Sequence, residues 1–351
     1  RRISAATQIS VDRITKGPLN NLDERFDQYH PPRYSHLARN QNVMMGPRKM
    51  PLRSIGQGWI GWLVTAATLT MAPAAQATAL DLFYERTVMS VADHRCNLFA
   101  PKVTVALDAA RLQARGAALR AGVDQDVIKE TARQATLRSN SVACGSSDLL
   151  VAANRVKSAF AAYSRLTRMD FPGDTAGWAA SRGQAVHTAN WQLYQTARFG
   201  WDSMTFGIAS RSGSSGLVAA ASFADGAIPY GARIMMRDLS KAPRPYLNLR
   251  VADQNGKVPL HARAAPLSVS RAILAEDRSD ADSTLLPAKA KSGIAFRWPP
   301  AAAAAMAELD PREAVRVEFL FAGRNGDTLR TAYIEVGDFA AGRAFLASGQ
   351  Q

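Results

Sequence analysis

Cys96 and Cys144 are the only two cysteines in 351 residues, and 48 positions separate them. An even pair predicts a structural disulfide if the chain reaches an oxidising compartment. Closing such a loop is worth about 4 kcal/mol in the chain-entropy model. Two free thiols are the alternative. With no C-x-x-C, neither a thioredoxin-like redox centre nor c-type haem attachment is indicated. The histidines downstream of residue 79 are His94, His187 and His261, each isolated in sequence, and no H-E-x-x-H or His-x-His occurs. Zinc-type sites need clustered ligands, so no metal centre and no cofactor are expected. The run Glu276-Asp277-Arg278-Ser279-Asp280-Ala281-Asp282 offers carboxylate oxygens suited to Ca²⁺. It lacks the glycine and distal glutamate of an EF-hand loop, and a solvated acidic hairpin loop is the plainer reading of Asp277–Asp282.

Nucleophilic catalysis by serine needs an activated hydroxyl with a base in reach. The chain has no G-x-S-x-G and no S-x-x-K. Arg211-Ser212-Gly213-Ser214-Ser215-Gly216 is one residue short of the first and reads as a turn between two strands. A glycoside hydrolase needs only two carboxylates, which can be far apart in sequence, and nothing in the pattern selects such a pair. Trp178, Trp191, Trp201 and Trp298 have two readings: a platform for sugars, or ordinary core. No catalytic residue is assigned.

One motif has an apparent cofactor meaning. Gly56-Gln57-Gly58-Trp59-Ile60-Gly61 matches G-x-G-x-x-G, and Asp81 follows 20 positions after Gly61. The dinucleotide fingerprint requires a strand before it and a βαβ unit around it. Here basic residues precede it and an apolar run follows. Arg48, Lys49 and Arg53 come first, and no charged residue stands between Ser54 and Leu80. Ala75-Gln76-Ala77 and Ala77-Thr78-Ala79 are both small-x-small sites. The pattern is that of a cleavable export signal over 44–79, cut after Ala77 or Ala79. An uncleaved anchor is the alternative, since the run is long enough to span a bilayer; Pro73 and the two cleavage sites favour removal. Residues 1–43 read as a disordered segment, or as one lying upstream of a start at Met44, Met45 or Met50.

Charge and composition narrow the class. The net charge is +14 from 43 basic and 29 acidic residues. The first 79 residues carry 10 basic and 4 acidic side chains, so the remainder holds about +8. That excess suits anionic envelope polymers or an acidic partner, and it is also what an arginine-rich, alanine-rich composition yields without selection. No Lys/Arg run resembles a nucleic-acid footprint. No nucleic-acid partner is expected, and membrane contact is expected only in transit through the signal peptide.

The elements that must position these residues divide into two kinds. From residue 80 to about 170 the apolar period is helical. Helices are expected near Asp81–His94, from Pro101 with a stripe of Val103, Leu107, Ala110, Ala114, Ala117 and Ala121, from an Asp124 cap to about Ser139, and from Ser147 or Asp148 onward. Short connections predict an antiparallel bundle. A linker is expected at 171–185, then a β domain over 186–351. Period-two alternation marks Met204–Ile208, Tyr230–Met236, Leu247–Val251, Leu267–Ile273 and Val315–Phe321, with a return strand Leu329–Val336 after a tight Asn325-Gly326 turn. A helix at Ala301–Leu309 and another, Phe339–Leu346, capped by Asp338, complete the pattern. The fold class is therefore α+β: an N-terminal antiparallel helical bundle followed by a mainly antiparallel β-sandwich.

The order Ile294-Ala295-Phe296, short helix, Val315-Arg316-Val317-Glu318-Phe319, Asn325-Gly326, strand, Val336-Gly337-Asp338-Phe339 resembles the C-terminal half of the invasion-associated locus B family. The resemblance covers about 60 residues. It implies a periplasmic β protein and no catalytic residues. The chain departs from the family in having no cysteine after Cys144. The reading that follows is an exported cell-envelope protein, periplasmic or secreted, that binds an envelope protein or an anionic polymer and is not an enzyme. The alternative is an envelope hydrolase using dispersed carboxylates on glycan or peptide.

Overall fold

The computed structural model describes residues 72–163, 165–183, 188–211, 213–248, 251–252 and 257–347, with side chains from Thr78 onward. The segment 1–43, the apolar core of the export signal, His187, Ser212 and Leu249 lie outside the described residues. The described chain is mixed helix and sheet, with six helices and two antiparallel sheets.

The helices α1 (Ala72–Cys96), α2 (Pro101–Arg120), α3 (Gln125–Asn140) and α4 (Ser147–Tyr163) come first. α1 is longer than its apolar period predicts. It runs through Ala77 and Ala79, and Pro73 stands in its first described turn, where a missing N–H costs nothing. Pro101 opens α2. The Asp124 carboxylate accepts the Asp126 N–H at 2.7 Å and caps α3. The apolar face of α4, Leu149, Ala152, Val156, Phe160 and Tyr163, is buried. Cys96 and Cys144 form a disulfide with Cα atoms 5.5 Å apart, pinning the end of α1 to the turn before α4.

Eleven strands follow: β1 (Arg168–Phe171), β2 (Trp178–Ser181), β3 (Asn190–Phe199), β4 (Asp202–Arg211), β5 (Ser214–Ser222), β6 (Gly231–Arg237), β7 (Ser270–Leu274), β8 (Asp277–Asp280), β9 (Ile294–Trp298), β10 (Ala314–Phe321) and β11 (Thr328–Glu335). Helix α5 (Pro300–Ala307) precedes β10, and α6 (Phe339–Ala347) follows β11. One sheet has the order β1-β2-β3-β4-β5-β9-β8, the other β11-β10-β6-β7. Phe199 of the first stacks on Phe319 of the second with centroids 5.7 Å apart, and Phe296 reaches the same ring at 5.8 Å. The core is continuous from Met89 and Leu107 through Phe160, Phe171 and Trp178 to Phe319 and Phe345. Helices and sheets therefore exclude water together.

Four local expectations differ from what forms. The segment 171–185 holds the end of β1 and all of β2, because Phe171 and Trp178 are fully buried anchors on either side of a short loop. Leu267–Val269 is a 3₁₀ turn, and strand β7 begins only at Ser270, while the centre of the expected strand Leu247–Val251 lies outside the described residues. Alternation over three apolar positions does not specify pairing unless a neighbouring edge is available. The acidic run is not a hairpin loop: Asp277–Asp280 is edge strand β8, paired with β9. Finally, β10 and β11 are joined by residues 322–327, not by a two-residue turn. Gly326 takes φ +106°, while Asn325 keeps a negative φ. A turn with both residues at positive φ is thus replaced by one closed by Gly326 N–H donating to the Gly323 carbonyl at 3.2 Å.

Candidate ligand-binding groove

A large concavity lies where α1 and α2 face the first three strands. It has a volume of about 1330 Å³. Leu82 and Arg86 come from α1; Ala114, Ala117 and Arg120 from α2; Met169 and Phe171 from β1; Ala179 from β2; Trp191 and Tyr194 from β3. The alanine stripe of α2 forms part of its wall. Its N-terminal half, with Leu107 and Ala110, is sealed in the core. Further along, Ala114 and Ala117 line the groove.

Two buried clusters set the rim. Glu335, fully buried at the end of β11, accepts the backbone N–H groups of Asp174, Thr175 and Ala176 at 2.6, 2.8 and 2.7 Å. This fastens the 172–177 loop, whose Pro172 and Gly177 border the groove. Arg263 supplies the countercharge, 3.0 Å from Asp174 and 3.4 Å from Glu335. Close to this cluster, within reach of the charges of Asp174 and Glu335, Arg120 grips Asp338 through two hydrogen bonds of 2.6 and 3.0 Å. Burial works against the Arg120 cation, but its bonds to Asp338 outweigh this and hold its pKa above the ordinary value. For Asp338 burial is the largest influence and pushes the carboxyl up, against the pull of Arg120. Asp338 stands just before α6 as expected of a cap, yet its carboxylate is taken by Arg120.

The same pattern recurs deeper. Glu313 pairs with Arg237 at 2.6 and 2.8 Å with both side chains almost fully buried, and Asp310 pairs with Arg312 at 2.9 Å. Burial raises the Glu313 carboxyl above its usual range, with Arg237 opposing. Asp310, Glu313, Glu335 and Asp338 are thus four buried carboxylates within 29 residues of chain, each held by an arginine. Sequence reasoning does not single them out. Three of the arginines, at 120, 237 and 263, are far away in the chain, and no local spacing announces the pairs.

The tryptophans do not assemble into one platform. Trp178 and Trp298 are core residues, each 1 % exposed, and Trp178 Nε1 donates to the Val336 carbonyl at 2.9 Å. Trp191 lines the groove and donates to the Leu285 carbonyl at 3.1 Å. Trp201 points into solvent elsewhere. His94 ends α1, exposed, and His261 is exposed beside Tyr333. Asp282 accepts from the Thr284 N–H and hydroxyl at 3.0 and 2.8 Å, so it closes a turn. Among the described residues no three His, Cys, Asp or Glu side chains are placed to share a metal ion.

The described lining of the groove is mostly apolar. It includes one carboxylate, Asp170, beside Arg86, Arg120 and Arg168. Arg86 donates to the Ala110 carbonyl at 2.7 Å, and Arg120 is committed to Asp338. Cleavage of a glycosidic bond calls for two carboxylates across the reacting atom. No family model, no curated protein and no solved structure matches the chain. Among the described residues no helix is long and apolar enough to cross a membrane.

Proposed function

We propose that the chain is an exported cell-envelope binding protein whose groove receives an apolar segment of a partner protein of the envelope. The carrying observation is the groove itself. At about 1330 Å³ it exceeds the roughly 300–1,000 Å³ of small-molecule sites, it is walled by Leu82, Ala117, Met169, Phe171 and Ala179, and among the described residues its lining holds a single carboxylate, Asp170. Export is supported by the uncharged run between Ser54 and Leu80, by the sites ending at Ala77 and Ala79, and by the Cys96–Cys144 disulfide, which is typical of oxidising compartments. We read the four N-terminal helices, joined by short connections, as an antiparallel bundle, and the two facing sheets as a sandwich. The family resemblance of the C-terminal segment supports the same location.

The test combines fractionation with site-specific photocrosslinking from position 179. The expected result is an envelope-localised chain beginning at Thr78 or Leu80, crosslinked to one envelope protein. Ala117→Trp, which fills the groove, should abolish the crosslink without preventing export. A cytoplasmic chain with reduced cysteines would overturn the location. A crosslink indifferent to Ala117→Trp would overturn the groove.

A further inference from the structure

A second cleft, of about 880 Å³, lies away from the groove. At its lip the turn between β3 and β4 is made by Gly200, at φ +64°, and Trp201, which is 94 % exposed. A whole indole in water is unusual, because the ring loses the burial that stabilises nearly all tryptophans. The floor beneath it is tied together by hydrogen bonds. Asp202 accepts the Ala224 N–H at 2.9 Å and an Arg330 N–H at 3.1 Å. Arg330 also donates to Asp225 at 3.0 Å and lies over the Phe321 ring at 4.6 Å.

Around this floor the hydrogen-bonding groups are open. Arg198, His261, Thr331 and Tyr333 line the cleft, and none makes a side-chain hydrogen bond among the described residues. His261 is held only edge-on against Tyr333, with ring centroids 6.2 Å apart. An open aromatic face beside unsatisfied donors and acceptors is complementary to one chemistry in particular. A hexopyranose ring presents axial C–H groups on its face and hydroxyls around its edge. The face stacks on an aromatic ring, and the hydroxyls use groups such as these.

We propose that this cleft binds a glycan chain, with one pyranose face on Trp201 and ring hydroxyls bonded by Tyr333, Thr331 and Arg198. A purely apolar ligand would leave the four polar side chains dehydrated and unpaired. A polyanionic strand finds little attraction, because Asp202 and Asp225 offset the arginines. The site is separate from the groove and does not rest on the reading given for it.

The test uses the full chain with its disulfide formed, titrated with chitohexaose, cellohexaose and solubilised peptidoglycan glycan strands by calorimetry and tryptophan fluorescence. At least one should bind saturably. Trp201→Ala should weaken that binding by about tenfold or more with an unchanged unfolding midpoint, since the ring is exposed. Tyr333→Phe, which removes one hydroxyl, should weaken it roughly three- to tenfold. Ala117→Trp should leave it unchanged. The proposal fails if none of the three glycans binds or if binding ignores Trp201→Ala.

Discussion

Arg120 of α2 and Asp338 before α6 meet in a paired hydrogen-bond geometry of 2.6 and 3.0 Å although 218 positions separate them. The contact depends on a third residue. A Cβ on Gly116 would lie 2.0 Å from Asp338 Oδ1. The glycine, one turn before Arg120, thus lets the carboxylate slide against the helix backbone. Through this pair the C-terminal helix is fastened to the second helix.

Asp338→Ala strips a buried arginine of its partner. Removing one member of a buried pair costs about 3–5 kcal/mol, and urea denaturation should show that loss. Gly116→Ala should destabilise by about 1–3 kcal/mol through overpacking. In the Asp338→Ala background the Gly116→Ala penalty should shrink, since the obstructing oxygen is gone. Additive penalties would contradict the assigned contact.

The disulfide joins the end of α1 to the turn before α4. Replacing Cys96 and Cys144 by alanine should lower stability by about 4 kcal/mol if the chain-entropy account holds, read as a lower urea midpoint. Alkylation without reductant should label neither cysteine. Rapid labelling of both would dismiss the bond.

Glu335 holds three backbone N–H groups of the 172–177 loop. Glu335→Gln keeps the shape but removes the charge and turns one acceptor into a donor facing those N–H groups. Hydrogen bonds to charged groups are worth about 1.5–3 kcal/mol each, so a loss of at least about 2 kcal/mol is expected. Hydrogen exchange at Asp174, Thr175 and Ala176 should accelerate more than exchange in β10. Uniform acceleration would mean the carboxylate acts on global stability alone.

The Asp225 carboxyl is held down to about 2, chiefly by the Arg330 side-chain hydrogen bond and then by the Ala227 N–H. A depressed folded pKa contributes stability above the unfolded value of about 3.9, and the contribution fades as pH falls from there through about 2. A carboxyl-carbon NMR titration should place Asp225 near that lower value. Arg330→Ala should return it towards the ordinary range. An unshifted titration in the parent chain would show that Arg330 does not engage Asp225 in solution.

Much of the helical part is legible in the chain, because its signals are local. Pro101 at a helix start, Asp124 as a cap and the stripe of α4 act over one or two turns, and the structure places each where its spacing puts it. The Gly200–Trp201 turn and the short strand β2 are hidden for the opposite reason. Trp178 is buried by Phe206 and Phe339, which arrive from distant segments. Period-two alternation also overreaches at Leu267–Val269, which forms a 3₁₀ turn.

The residues by themselves determine the mixed α+β class, the candidate disulfide, the uncharged run before Asp81 and the lack of a sequence-local catalytic motif. These follow from composition and short-range spacing. Tertiary structure alone decides which four acids are buried against arginines, that Trp201 stands outside while Trp178 and Trp298 go inside, and that the small residues of α2 line a groove. Most of these depend on segments tens to hundreds of positions apart meeting at one point, from 72 for Arg263 with Glu335 to 218 for Arg120 with Asp338. Charge pairing and exclusion of water act through space, and the linear order of residues carries no trace of that distance.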